Sequence, residues 1–214
     1  MAISTVLFDL DNTLYPATSG VMTGVDGRIS AYVQKLLGLN EAEARVIQKR
    51  YYGDYGTTLG GLLQHHQVDA EDYLHYVHDF ALETLLAADA ELDRLLGDLP
   101  ATKAVFTNSP TEYARRVLAA LGIEQHFTHI FDVRFAEFKP KPDPLVYQRV
   151  IDALGADARA SILVEDTPKN LPPARALGMT TILVGEPRPD FAGLIDYTVP
   201  DVLEAVRIAT SLAG

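Results

Sequence analysis

A chain of 214 residues that is 48% hydrophobic and 22% charged can bury a sizeable core, and it fits one domain or a core with a modest insertion. Its 29 acidic against 18 basic residues leave a net charge of -11, which argues against a nucleic-acid polymer as partner and sets an unfavourable overall field for a phosphate-bearing ligand. The absence of cysteine excludes disulfides, thiolate metal sites and cysteine nucleophiles and fits a cytoplasmic chain, while no apolar run approaches a membrane span or a signal peptide.

The first predicted element is Val6-Leu7-Phe8, three apolar residues that suit a strand buried on both faces. Asp9 and Asp11 follow, with Leu10 between them. Strand period is two, so both carboxylates project to one side where the strand runs out. Like charges held that close repel, and burying them is costly unless a cation sits between them. A pair of oxygen ligands at a strand end suits Mg2+; the plain alternative is a solvated turn.

Residues 17–88 read as an all-helical insertion, with 1–16 and 89–214 forming the core. Val21, Val25, Ile29, Tyr32, Val33, Leu36 and Leu37 keep helical spacing up to Gly38. Asn40 with Glu43 opens a second helix, expected to end near Gly53. Gly56 to Gly61 reads as loose, with a short apolar piece after it, and Asp69 with Asp72 opens a helix expected to reach Phe80. Between Asp69 and Asp98 there are nine acidic residues and one basic residue, Arg94, which suits a solvated outer face.

Strands and helices then alternate, which points to an α/β fold with a parallel sheet. The strands are expected at 103–106, 130–133, 161–164 and 180–184, and a last helix at 202–212. Ser109 is the expected cap of the helix after the second strand, with Pro110 at its first position.

Four polar clusters fall at the C-terminal ends of predicted strands, the edge where open α/β sheets bind ligands. The first is Asp9, Asp11 and Thr13; Asp9 could attack phosphorus, Asp11 could exchange the proton, and Thr13 would hold the loop. The second is Thr107-Asn108, a hydroxyl with backbone N–H groups that suits a phosphate. The third is the Pro-rich loop with Lys139 and Lys141; the spacing to Tyr147 favours Lys141 as the ammonium that balances the carboxylates. The fourth is Glu165-Asp166; alternation along a strand predicts that only one faces the site, with Asp166 as direct metal ligand and Glu165 acting through water or behind it.

FDLDNTLYP, the TN pair, the KPKP loop and VEDTPKN, in this order, resemble the motifs of the haloacid dehalogenase superfamily. The resemblance implies a Rossmann-like three-layer core with an inserted helical cap and Mg2+ as cofactor. It implies a nucleophile in Asp9 and an acid/base in Asp11. The metal would be held by Asp9, the backbone carbonyl of Asp11, and Asp166, and the phosphate by Thr107, the Asn108 backbone and Lys141. A carboxylate at Asp11 separates the phosphatases of the superfamily from its dehalogenases. A narrower resemblance, to pyrimidine 5'-nucleotidases, rests on Asn12 and on the YYGDYG stretch of the insertion. It implies hydrolysis of a nucleoside 5'-monophosphate, with Asn12, Tyr51 and Tyr55 among the substrate-binding residues; Tyr51 and Tyr55, one helical turn apart, also suit the insertion's own core.

The expected function is therefore a Mg2+-dependent phosphatase of small phosphomonoesters, acting as a monomer or homodimer without membrane or nucleic-acid partners. The rivals are a sugar-phosphate phosphatase or phosphomutase of the same fold and a non-catalytic sensing module. His65, His66, His75 and His78 lack the company of a metal site, and His126 and His129 read as surface or packing residues.

Overall fold

The computed structural model describes residues 2–214. Six parallel strands form one sheet: β1 Thr5–Phe8, β2 Thr102–Phe106, β3 His129–Phe131, β4 Ser161–Glu165, β5 Thr180–Val184 and β6 Tyr197–Val199. Their spatial order is β3-β2-β1-β4-β5-β6, the doubly wound order in which the strand sequence reverses beside β1. The whole of β1 is buried, which a parallel strand covered on both faces requires. It pairs with β2 on one side and β4 on the other, Phe8 lying level with Val105 and Val164. The crevice at the reversal therefore opens between the ends of β1 and β4, where the acidic motifs stand.

The short β6 escapes the apolar pattern, because Tyr197 and Thr198 are exposed and only Val199 is buried. The third strand ends at Phe131, two residues before its expected end.

Five α-helices lie between β1 and β2, and the first four are α1 Val21–Leu37, α2 Glu41–Tyr55, α3 Thr58–His65 and α4 Ala70–His78. Asn40 and Glu43 close a full capping box at the start of α2. This helix passes through Gly53 and stops at Gly56, whose φ of +80° lies in the left-handed region. The stretch expected to be loose is α3, started by the Thr57 hydroxyl accepting from Gly60 N. Its Gly61 is required by packing, since a Cβ there would stand 2.3 Å from the Tyr51 ring. Asp69 caps α4, which ends at His78 rather than Phe80.

The remaining helices are α5 Ala90–Asp98, α6 Thr111–Leu121, α7 Pro144–Leu154, α8 Leu171–Ala176 and α9 Val202–Ala213. Ser109 does not cap α6. Asp132 Oδ2 accepts from Thr111 N and Thr111 Oγ1, leaving the serine hydroxyl free for another partner.

Apolar side chains form one cluster on each face of the sheet and a third among the inserted helices. Val21 and Val25 of α1 pack into the sheet's cluster with Leu10, Leu14 and Tyr15, so the insertion shares its first turns with the core. Arg134 ties the two parts together, donating to Glu71 on α4 at 2.6 Å and to Glu112 on α6 at 2.8 Å. Among the described residues no helix is long and apolar enough to cross a membrane.

Candidate active site

A cavity of about 620 Å³ lies between the C-terminal edge of the sheet and the inserted helices. Its sheet wall holds Asp9, Asp11, Asn12, Thr107, Asn108, Lys141, Glu165 and Asp166, which come from all four motifs.

Asp9 leaves the end of β1 with its backbone still in the ladder, Asp9 N donating to Val164 O at 2.9 Å. Thr13 Oγ1 donates to Asp9 Oδ2 at 3.0 Å, so Thr13 positions the carboxylate from behind and does not line the cavity. Asn12 makes the turn between them at a φ of +61°, a conformation in which asparagine is favoured over most residues with a Cβ.

Lys141, rather than the exposed Lys139, is the buried lysine of the loop. Its ammonium donates to Asp9 Oδ1 at 2.7 Å, Glu165 Oε2 at 2.7 Å and Phe106 O at 2.8 Å, which uses all three of its protons. The Asn108 side chain fixes that loop: its Oδ1 accepts from Lys141 N at 2.8 Å and its Nδ2 donates to Lys141 O at 3.4 Å. Thr107 Oγ1 accepts from Ser109 N and holds the turn after β2.

Glu165 is the last residue of β4, and the chain bends after it. The alternation expected of a strand therefore does not reach Asp166, and both carboxylates face the same place. One oxygen each from Asp9, Glu165 and Asp166 lies within 4.8 Å of the other two, a donor set of hard oxygens that could hold a divalent cation. Glu165, like Asp9, has a donor on each oxygen, since it also accepts from Thr167 N at 3.1 Å, whereas among the described residues Asp166 accepts only from Thr167 Oγ1 at 3.2 Å.

Crowding sets the electrostatics. Burial, then the Glu165 charge, push the Asp9 carboxyl up to about 7 against the pull of Lys141. Burial also raises Glu165, opposed by Lys141, and raises Asp166 together with the charge of Asp9. For Lys141 burial works against the charged form, but Asp9 and Glu165 outweigh it and the ammonium stays protonated.

Asp11 has a different setting. Its Oδ1 accepts from Tyr15 OH at 2.5 Å and Tyr113 OH at 2.8 Å, and its Oδ2 from Ser109 Oγ at 2.7 Å. Burial, then the Asp11 charge, raise both phenols far above their usual range, so they remain donors. The Asp11 carboxylate stands outside the acidic trio and lines the cavity.

Tyr51 and Tyr55 do not line the cavity. The Tyr51 ring packs on Gly61 inside the insertion, with its hydroxyl 2.8 Å from His66 Nε2, and the Tyr55 hydroxyl lies 2.5 Å from His65 Nε2. Their helical spacing reflects the insertion's own core. Tyr52, between them, faces the cavity with its ring 3.9 Å from Lys169 Nζ.

The sequence reading also passes over Tyr15, Ser109 and Tyr113. A hydroxyl four residues after Asp11 was a usable signal for Tyr15, whereas Ser109 was hidden by its resemblance to a helix cap. Gln48 carries no motif, and Asn170 closes the VEDTPKN stretch; both line the cavity, and both have a side-chain oxygen that is buried and has no hydrogen-bond partner.

Comparison with known proteins gives the family. The chain is 29% identical over 191 residues to phosphate metabolism protein 8 of Saccharomyces cerevisiae, covering 82% of this chain and 60% of the yeast protein's length. It is 28% identical over 203 residues to a phosphoglycolate phosphatase of Rhodospirillum rubrum, covering 84% of this chain and 78% of that one. In fold it is similar to the L-2-haloacid dehalogenase of Xanthobacter autotrophicus, with a TM-score of 0.60 at 17% identity over 99% of this chain and 100% of that one. The sequence model of the haloacid dehalogenase-like hydrolases matches residues 3–178, and the chain belongs to that family.

Proposed function

We propose that the chain is a Mg2+-dependent phosphatase of small phosphomonoesters, with a pyrimidine nucleoside 5'-monophosphate as substrate. The observation that carries this reading is the pairing of two carboxylates in different settings, Asp9 in the acidic trio and Asp11 under three hydroxyl donors. Asp9, Asp166 and the Asp11 backbone carbonyl would hold the ion, with Glu165 supporting it, and the ion would supply the positive charge that the trio lacks.

The chain's own residues then divide the work. Asp9 attacks phosphorus in line, forming an aspartyl-phosphate as the bond to the ester oxygen breaks. Asp11 gives its proton to that leaving oxygen, and later takes one from the water that cleaves the aspartyl-phosphate and restores Asp9. Lys141 holds Asp9 in position and offsets the charge. Asp11 also separates this reading from dehalogenation, because a departing halide needs no proton and a departing alkoxide does. The names of the phosphatase relatives support the same class, and a cavity of about 620 Å³ has room for a nucleoside.

The test is phosphate release from a panel of nucleotides, sugar phosphates and other esters, with Mg2+ and with a chelator. Release is expected with Mg2+ only, and Asp9→Asn is expected to abolish both turnover and acid-stable labelling of the chain by phosphate. Turnover retained in Asp9→Asn would remove the nucleophile assignment, and no release from any ester would remove the phosphatase reading.

A further inference from the structure

Among the described residues, three buried side-chain atoms lack a hydrogen-bond partner, namely Asn12 Oδ1, Gln48 Oε1 and Asn170 Oδ1, and all three residues line the one cavity. Asn12 and Asn170 belong to the sheet wall. Gln48 stands across from them, on α2 of the insertion, and is 6% exposed.

The direction of its carboxamide is fixed. Gln48 Nε2 donates to Asp26 Oδ1 at 2.5 Å and reaches Asp26 O at 3.4 Å, and Asp26 is in turn held by Arg45 at 3.3 Å. Reversing the amide would set Oε1 against a carboxylate and a carbonyl, with no proton among them. Gln48 Oε1 is therefore a fixed acceptor, already stripped of solvent. The insertion side of the cavity carries Val25, Ile29, Leu59, Leu74 and Val77 beside polar residues such as Thr23, Thr58 and His78. A buried acceptor with no donor is costly, and packing alone would be served better by an apolar side chain.

We propose that Gln48 is a specificity-determining residue that accepts a hydrogen bond from an N–H or O–H of the substrate's leaving group. This deepens the phosphatase reading and rests on it. The substrates are then esters of neutral, donor-bearing alcohols, as nucleosides and sugars are. A leaving group that is itself an anion, such as glycolate or a second phosphate, meets an acceptor backed by the Asp26 carboxylate and is rejected. Besides Lys141, two lysines line the cavity: Lys169 sits over the Tyr52 ring, and Lys49 is exposed. The specificity thus differs from that in the name of the Rhodospirillum relative.

The experiment compares kcat/KM for UMP, 3-methyl-UMP, 2'-deoxy-UMP, phosphoglycolate and pyrophosphate in the wild type and in Gln48→Met. The wild type is expected to favour UMP over both anionic-leaving-group substrates by roughly 10-fold or more, and to lose about 10-fold, mainly through KM, on one of the two analogues that lack a donor. Which analogue suffers tells a base N–H from a ribose O–H. In Gln48→Met that penalty is expected to fall to near one, because the acceptor it depends on is gone. The proposal is overturned if both analogues match UMP, if the penalty survives unchanged in Gln48→Met, or if phosphoglycolate or pyrophosphate is preferred. Should Gln48→Met fail to fold by circular dichroism, the wild-type comparison of UMP with its analogues decides alone. Phosphate release without this pattern sinks only the role of Gln48, whereas no release from any ester sinks the phosphatase reading beneath it.

Discussion

The charged groups of the cavity's sheet wall and the amide Gln48 of its insertion wall are treated in opposite ways, although two amide oxygens of the sheet wall, Asn12 Oδ1 and Asn170 Oδ1, are open as well. On the sheet wall the charged groups are answered within the chain: Lys141 by two carboxylates and a carbonyl, Asp11 by three hydroxyls, Glu165 by an ammonium and a backbone N–H. Behind the insertion wall the aromatic residues satisfy one another, Tyr32 with Tyr73 edge to face at 5.0 Å and Tyr51 with His66, while Gln48, which lines the wall, has its Oε1 left open. The difference separates two tasks. Groups that act in every turnover gain from being fixed before the substrate arrives. A group that tells one substrate from another must keep its hydrogen bond for the ligand.

Removing the central cation breaks the sheet wall most severely. Lys141→Met leaves Asp9 and Glu165 facing each other in a buried site, which by comparison with other broken buried pairs costs about 3–5 kcal/mol, and activity is expected to fall by about 10²–10³-fold or more. The pH dependence has a definite sign. A carboxyl whose folded pKa lies above its unfolded value contributes stability at low pH and loses it as the pH rises through the folded pKa. Asp9 already titrates near 7 with Lys141 present, and it must titrate higher without it. In the presence of chelator the variant's deficit relative to wild type should therefore be largest above pH 7 and shrink as the medium is made acidic. Thermal melts across that range check this; a deficit that grows toward acid would show that Lys141 does not serve to balance the carboxylates.

The insertion is best disturbed at Gly61, which packs on Tyr51 behind the cavity wall. A Cβ at that position would lie 2.3 Å from the Tyr51 ring, so Gly61→Ala must push α2 and α3 apart. Overpacking of this kind costs about 1–3 kcal/mol. Because Gln48 and Tyr52 both sit on α2, KM is expected to rise more than kcat falls. Hydrogen exchange should quicken in α2 and α3 and not in β1, β2 or β4. Wild-type melting and exchange would mean that Tyr51 can yield at no cost.

The same contrast explains what could be read before the structure. The sheet wall was legible because its chemistry demands particular residue types at strand ends, and strand ends are marked by apolar runs; Asp9, Asp11, Thr107 and Asp166 stand where a run stops, and Lys141 is marked by the prolines of its loop. Where local rules compete, the reading slipped. Ser109 has the form of a helix cap, but Asp132 reaches α6 from a distant loop and takes that role, freeing Ser109 for Asp11. Alternation predicted opposite directions for Glu165 and Asp166, and the strand ends between them. The insertion wall was nearly illegible, because which face of a helix meets the cavity depends on how four helices pack, and no motif records it. Period alone pairs Tyr51 with Tyr55, and says nothing of whether that pair or Tyr52 looks outward to the site.

That last choice gives the smallest and sharpest test. Tyr52 lines the cavity and lies under Lys169, so it spans from α2 to the segment that follows Asp166. A cation over an aromatic ring at a partly exposed position contributes about 0.5–1 kcal/mol, so Tyr52→Leu should raise KM by about 2- to 5-fold while the fold stays intact. Tyr55 is bonded to His65 and does not line the cavity, and Tyr55→Leu should move KM less than Tyr52→Leu does. Steady-state kinetics on the two variants with one nucleotide decide between them. The reverse order would return Tyr55 to the substrate and require α2 to turn by about 60°, since neighbouring helix positions differ by about 100° and Tyr52 and Tyr55 are three apart. A rotation of that size would pull Gln48 away from Asp26, so the small effect at Tyr52 and the larger one expected at Gln48 depend on the same helix orientation.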